Sequence, residues 1–284
     1  MSRILIAGCG YVGIALGERL IEEGHTVWGL RRRTSLLPQV IRPIAADLTT
    51  AESLKDLPPQ LDFIFYTAAA ENSTDEAYRS AYVTGFRNLI CALQEQNQNP
   101  RRLIFTSSTA VYAQSAGEWV DENSPTDPLH FSSRRLLEAE QLMLGGPFPG
   151  IILRLGGIYG PTRTRLVDLV RRGEAVCKER QTHYANRIHR DDCVGALRHL
   201  MTLDHPMNVY LGVDYEPAEL CEVYHWLADR LGVLPPRVEP AHSMTQRKSR
   251  GNKRCLNARL VDSGYVFRFP TFREGYDAML EEEG

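Results

Sequence analysis

The sequence predicts a doubly wound α/β fold: a parallel sheet covered by helices on both faces, followed by a smaller C-terminal α/β region. Strand and helix patterns alternate from the first residues, which points to a parallel sheet. The early strands are short apolar runs, as in ILIAG (4–8), where a run that stops at Gly marks a buried strand. After Pro161 the regularity falls, so the second part is smaller and interrupted.

Helical apolar spacing covers Tyr11 to Glu23, with Gly24 as a stop. HTVWGL (25–30) is the second strand, VIRPIAADL (40–48) a weaker third and LDFIFYTAA (61–69) a fourth. A long helix follows over Ala77 to Gln96, then strand RRLIFTSS (101–108), a helix over Ser132 to Leu144 and strand GIILRLGGIYGP (150–161). Beyond it, 166–172 and 191–203 are helical and 173–185 is polar and irregular. MNVYLGV (207–213) is a strand, 217–231 an amphipathic helix, and the Pro-rich stretch 235–240 a linker or rim loop. The predicted division is 1–161 and 162–284.

The chain has 284 residues and a net charge of −2, with 43% hydrophobic and 24% charged residues. Such a balance gives no broad field for nucleic acid or an anionic membrane. No apolar run approaches the roughly 20 residues of a membrane span, and the N-terminal run is too short for a secretory signal. The six cysteines are scattered, with no CxxC and no His at metal spacing. The reading is a cytoplasmic protein with reduced thiols and no metal.

AGCGYVG places Gly8, Gly10 and Gly13 where the first strand hands over to a helix. That context, rather than GxGxxG alone, makes it a dinucleotide-binding loop. Gly8 permits the tight turn, Gly10 the approach of a pyrophosphate, and Gly13 close packing of helix on strand. The helix start, with Tyr11 and Val12, offers N–H groups to phosphate. At the end of the second strand, where NAD-binding chains carry an acid for the ribose hydroxyls, this chain reads Leu30-Arg31-Arg32-Arg33, with no acid nearby in sequence. A guanidinium pairs with a 2′-phosphate that a carboxylate would repel, so NADP is favoured over NAD, which stays possible. Asp47 either accepts from the adenine amino group or caps the next helix, and Ala68 joins the candidate cofactor contacts.

Several stretches together resemble a known family: AGCGYVG, AADLTT (45–50), FTSSTAVYA (105–113), LRLGGIYGP (153–161), NRIHRDDCVGAL (186–197) and NARLVDSGYVFRFPTFREGY (257–276). In this order they are similar to the extended short-chain dehydrogenase/reductase superfamily, the NAD(P)-dependent epimerase/dehydratase family, in its atypical form. The resemblance implies a Rossmann sheet of about seven strands and a small C-terminal substrate domain. Segments within about 186–215 would return to the main sheet, and a homodimer would form through the two long helices.

The resemblance also shows what is missing. It places the family's catalytic Ser/Thr on Ser108, but its Tyr falls on Ser132 and its Lys on Leu136. A one-residue slip offers Phe131 and Arg135, still without a phenol. General acid–base help is worth about 10²–10⁴-fold, so efficient turnover needs another proton source. His130 is one candidate, Tyr112, Tyr159 and Tyr184 are others, and Ser108 with Thr109 are the candidate substrate contacts at the strand's C-terminal edge.

In the second part the resemblance puts a phosphate-reaching Arg at Arg187 and a structural His189 and Asp192. RKSRGNKRCLNARL gathers Arg247, Lys248, Arg250, Lys253 and Arg254. This run is either a solvated face or, through a Gly251-Asn252 turn, a site for an anionic substrate with Arg187. The functional expectation is an NAD(P)-binding oxidoreductase, NADP favoured, for a small polar substrate expected to be anionic. A non-catalytic dinucleotide-binding sensor or partner-binding protein, and a sugar-nucleotide epimerase or dehydratase, stay open beside it.

Overall fold

The computed structural model describes residues 1–240 and 251–283. In chain order the elements are β1 (Arg3–Ala7), α1 (Tyr11–Glu22), β2 (Thr26–Arg31), β3 (Arg42–Ala45), β4 (Phe63–Tyr66), α2 (Asp75–Tyr78), α3 (Gly85–Glu95), β5 (Arg102–Ser108), β6 (Glu118–Val120), α4 (Phe131–Leu144) and β7 (Gly150–Leu155). They continue with β8 (Gly157–Tyr159), α5 (Arg165–Arg171), β9 (Val176–Lys178), β10 (Tyr184–Ala185), β11 (Arg187–His189), α6 (Arg190–Thr202), β12 (Val209–Gly212) and β13 (Ala218–Glu219). The last are α7 (Leu220–Leu231), β14 (Arg237–Glu239), β15 (Lys253–Cys255), α8 (Ala258–Asp262) and α9 (Phe272–Glu283).

The main sheet has seven strands in the order β12-β7-β5-β4-β1-β2-β3. β1 pairs in parallel with both β2 and β4, so the chain order reverses beside β1. Open parallel sheets bind ligands outside the C-terminal ends of their strands at such a switch point. The apolar run of β1 earns its central place: Ile4, Leu5, Ile6 and Ala7 are fully buried. Gly24, at φ +85°, ends α1 in the left-handed conformation expected of a helix stop.

The chain divides into two compact units, 1–111 with 128–154 and 194–210, and 112–127 with 155–193 and 211–284. The first packs Leu5, Tyr66, Phe86, Leu89, Phe105, Ala139 and Ile152 into one core. The second builds its own core from Tyr159, Val167, Tyr224, Leu227, Phe272 and Tyr276. The long helix predicted over 77–96 is α2 and α3 joined by a π-helical turn, Arg79–Thr84. Tyr66 donates its hydroxyl to the Ala81 carbonyl in that turn, which gives a partner to a group the irregular turn leaves over.

Three expectations are corrected. Residues 173–185 are not wholly irregular, since they hold β9 and β10. The stretch 235–240 contains β14, paired in parallel with β9. Strands this short carry no periodicity of their own and exist through their partners. The thiols are not all reduced: Cys177 and Cys221 form a disulfide with Cα atoms 5.5 Å apart, whereas Cys9, Cys91, Cys193 and Cys255 are in no disulfide. The expected Arg247, Lys248 and Arg250 of the basic run lie outside the described residues. Among the described residues no helix is long and apolar enough to cross a membrane.

Candidate functional site

The loop after β1 is shaped for a close ligand. Gly8 has φ +78°, and a Cβ there would stand 2.3 Å from the Cα of Ala68. The loop and the segment after β4 therefore touch through backbone, and Thr67 adds a hydroxyl bond to the Gly8 carbonyl at 3.1 Å. A Cβ on Gly13 would meet Ile6 and Thr67 at 2.9 Å, so this glycine seats α1 on β1. Gly10 differs: a Cβ there would meet only the Gly8 carbonyl oxygen at 3.7 Å. Its face is open, and no side chain caps the helix that begins at Tyr11. The first N–H groups of a helix have no intrahelical acceptor, so this end is built to receive an anion. The residues present fit a dinucleotide pyrophosphate.

At the end of β2, Arg31 is half-buried and Arg32 and Arg33 are exposed. The structure supplies an acid that the local sequence does not. Glu71, just after β4, bonds the Arg32 guanidinium. β2 and β4 flank β1 on either side and deliver the two residues to one edge although 39 positions separate them. Asp47 is turned inward on its own loop, with Oδ1 accepting from the Thr49 N–H at 2.9 Å and hydroxyl at 2.7 Å.

At the end of β5, Ser108 Oγ accepts from the Ala110 N–H at 3.1 Å, and Thr109 is buried. The helix α4 packs on β5 and on the turn over Thr109–Val111. It contains neither Tyr nor Lys. His130 is its N-cap residue and accepts from the Ser132 N–H at Nδ1, 3.3 Å away. Ser132 Oγ lies 2.7 Å from the same Nδ1. Ser132 is buried at 5% exposure and Leu136 at 4%. Arg135 is held in two bonds of 2.8 Å to Asp75 and one of 2.9 Å to Glu138.

Deeper in the same unit, Arg154 on β7 forks onto Glu140 of α4, and Ser107 of β5 donates to the Glu140 carboxylate at 2.6 Å. All three are buried. Sequence reading missed this triad, because a Glu in LEAE reads as one more polar helix residue. A Ser, a Glu and an Arg on β5, α4 and β7, each beside apolar residues, were the signal.

In the second unit, Arg187 leads β11 and is half-buried, with its Nε lacking a hydrogen-bond partner. Lys253 is buried and donates from Nζ to the Tyr112 carbonyl at 3.1 Å. Burial pushes its pKa down. Arg254 donates to the Gly117 carbonyl at 2.8 Å and stacks on Trp119 and Tyr184, 4.6 and 4.9 Å from the ring centres. Strand pairing of β15 with β6, not a turn alone, sets these positions. Asp192 is fully buried and accepts from the Tyr265 hydroxyl and the Arg268 and Phe269 N–H groups. His189 accepts from the Asp191 N–H at Nδ1, while its Nε2 has no partner. Asp214 and Tyr159 likewise keep a buried oxygen without a partner. Of the other tyrosines considered, Tyr112 is buried. Among the described residues no group of three His, Cys, Asp or Glu is placed to hold a metal.

The family model of the NAD dependent epimerase/dehydratase family matches residues 4–202. The chain belongs to that family. Among curated family relatives, a 3-diazoavenalumate denitrifying reductase from Streptomyces is 26% identical, with 96% of this chain and 98% of that protein covered. Among solved structures, a chain from Methylobacillus flagellatus described as an NAD-dependent epimerase/dehydratase superposes with a TM-score of 0.82 at 34% identity, covering 99% of this chain and 98% of the other. Human epimerase family protein SDR39U1, solved with NADPH, shares the fold, with a TM-score of 0.81 at 20% identity and 98% and 99% coverage.

Proposed function

We propose that this family member is an NADP(H)-dependent oxidoreductase acting on a small, polar, anionic substrate. The observation that carries the reading is the combination at one sheet edge of an open, uncapped helix start at Gly10 with Arg31 and Arg32 at the end of β2. In this reading the loop Gly8, Gly10, Tyr11, Val12 and Gly13 holds the pyrophosphate, Arg31 and Arg32 pair with the 2′-phosphate, and Asp47 and Ala68 border the adenosine side. When bound, the nicotinamide supplies hydride chemistry. Relatives of the same fold include one described as NAD-dependent and one solved with NADPH, and a curated relative is named a reductase.

The family's Tyr and Lys are absent at their places, which Ser132 and Leu136 take. Ser108 and Thr109 at the end of β5 orient the substrate oxygen, and His130 serves as the acid–base group. In the second unit, Arg187, with its unpartnered Nε, is the candidate group for an anion. Lys253 and Arg254, already bonded within the same second unit, add positive charge there. A second reading, a non-catalytic dinucleotide-binding protein, is favoured by one observation: the apolar, buried Leu136 stands where the family binds the nicotinamide ribose.

Calorimetric titration with NADPH, NADP and NAD, on the wild type and on Arg31→Ala/Arg32→Ala, tests the reading. Micromolar NADP(H) binding that collapses in the variant, beside weak NAD binding, is the expected result. Equal binding of all three removes the NADP preference, and no binding removes the oxidoreductase.

A further inference from the structure

We infer that Ser132 and His130 form a proton-relay pair, and that Ser132 Oγ is the group that exchanges a proton with the substrate oxygen. The inference rests on the oxidoreductase reading above and names the group through which His130 reaches the substrate.

The geometry comes first. His130 Nδ1 receives the Ser132 backbone N–H, so Nδ1 is the unprotonated nitrogen of a neutral imidazole and Nε2 carries the hydrogen. Ser132 Oγ, 2.7 Å from that Nδ1, must then be the donor. A serine whose O–H points at an imidazole nitrogen is the arrangement that activates a hydroxyl. The helix start holds both partners: His130 is the N-cap and Ser132 lies two residues on, in the first turn. The partial positive charge there favours a developing oxyanion at Ser132. The His130 ring stacks on Phe131 with centroids 4.3 Å apart, and Phe131 meets Tyr78 edge-on at 5.7 Å. The imidazole is exposed and Ser132 is buried, so one end of the pair meets water while the other faces inward.

Charged groups lie on the same helix and on the elements packed against it. Arg134 and Arg135 lie on α4 itself, and Arg135 is neutralised by Asp75 of α2 and by Glu138. Arg79, in the turn after α2, and Asp75 are charged groups on the packed neighbours, and Arg79 acts on Asp75.

The step balances. As a substrate carbonyl carbon accepts hydride, its oxygen takes the proton of Ser132 Oγ. Oγ takes the Nδ1 proton of an imidazolium, which leaves the neutral ring with its hydrogen on Nε2, and water then returns a proton to Nδ1. In oxidation the same protons run in reverse. An unassisted serine has no such route, which is why the two residues act only together.

Reaction with phenylmethanesulfonyl fluoride tests the activated hydroxyl without cofactor or substrate. An Oγ–S bond forms, S–F breaks, His130 takes the proton and fluoride leaves. Peptide mass mapping should find the sulfonyl group on Ser132 of the wild type and not on His130→Asn, whose side chain still caps a helix and cannot shuttle a proton. With NADPH and 4-nitrobenzaldehyde, Ser132→Ala and His130→Asn should lose about 10²-fold or more in kcat with an unchanged Kd for NADPH, and Ser132→Thr should recover part of it. An unlabelled Ser132, equal labelling in His130→Asn, or equal turnover by all the proteins overturns the relay. Failure of NADPH to bind any of them, with Ser132 labelled, overturns the oxidoreductase reading and leaves the activated pair standing.

Discussion

Glu140 Oε2 and Arg154 Nη2 stand 2.7 Å apart, with side chains only 3% and 8% exposed. They join α4 to β7, and the Ser107 hydroxyl ties the same carboxylate to β5. The helix that starts at His130 is thereby fixed to the strand that ends at Ser108 by a charge pair rather than by apolar contact alone. Removing one partner leaves the other charged and buried, which costs about 3–5 kcal/mol. Glu140→Ala should therefore lower the thermal midpoint steeply, whereas Glu140→Leu/Arg154→Met should recover most of the loss. Calorimetric unfolding of the two variants checks this, and equal losses would contradict it.

Two glycines of the loop should separate folding from binding. Gly8→Ala forces a Cβ to 2.3 Å from the Ala68 backbone at a φ of +78°, and should destabilise the protein by about 2 kcal/mol or more. Gly10→Ala meets nothing nearer than 3.7 Å. It should fold normally and lose NADPH affinity by at least about tenfold, since its methyl occupies the pyrophosphate's approach. Thermal unfolding beside calorimetric titration reads both.

The exposed pair of Arg32 with Glu71 contributes little to folding. Glu71→Gln should leave the thermal midpoint almost unmoved. It releases Arg32 and removes a charge that opposes a 2′-phosphate, so NADPH should bind several-fold tighter, with NAD unaffected. Unchanged NADPH affinity would show that Arg32 does not meet the phosphate.

His189 should make stability depend on pH. Burial pushes its pKa down to about 4, from 6.5 in the unfolded chain. The fold therefore favours the neutral ring. Above about pH 6.5 both states are neutral and the contribution is complete. As pH falls from 6.5 towards 4 the unfolded chain takes up a proton that the folded chain refuses, and stability is lost. His189→Asn keeps an acceptor for the Asp191 N–H and does not titrate. Between pH 7 and 5 the wild type should lose roughly 1–2 kcal/mol more than this variant, measured by urea unfolding at each pH.

Much of this protein was legible in one dimension. Apolar runs such as ILIA and FIFY specify buried strands, because a residue fully covered on both faces of a sheet leaves no choice of chemistry. AGCGYVG specifies a dinucleotide turn because a positive φ at Gly8 and an open face at Gly10 are properties of the residues themselves. The helix that begins near Ser132 and the strand that ends at Ser108 followed from local periodicity in the same way.

What the tertiary structure alone decided are the partners. Glu71 reaches Arg32 across 39 positions, Cys177 meets Cys221 across 44, and Lys253 finds the Tyr112 carbonyl across 141. β14 and β15 exist because β9 and β6 lie beside them. The physical reason is the range of the forces involved. Propensity and hydrophobic period act within a few residues and are written into the sequence. Ion pairs, disulfides and two-strand ladders need two distant segments at contact distance, which only the closed sheet and the packed cores provide. Ser132 shows both at once: the sequence put a serine two residues after His130, and the helix start turned its hydroxyl onto that imidazole.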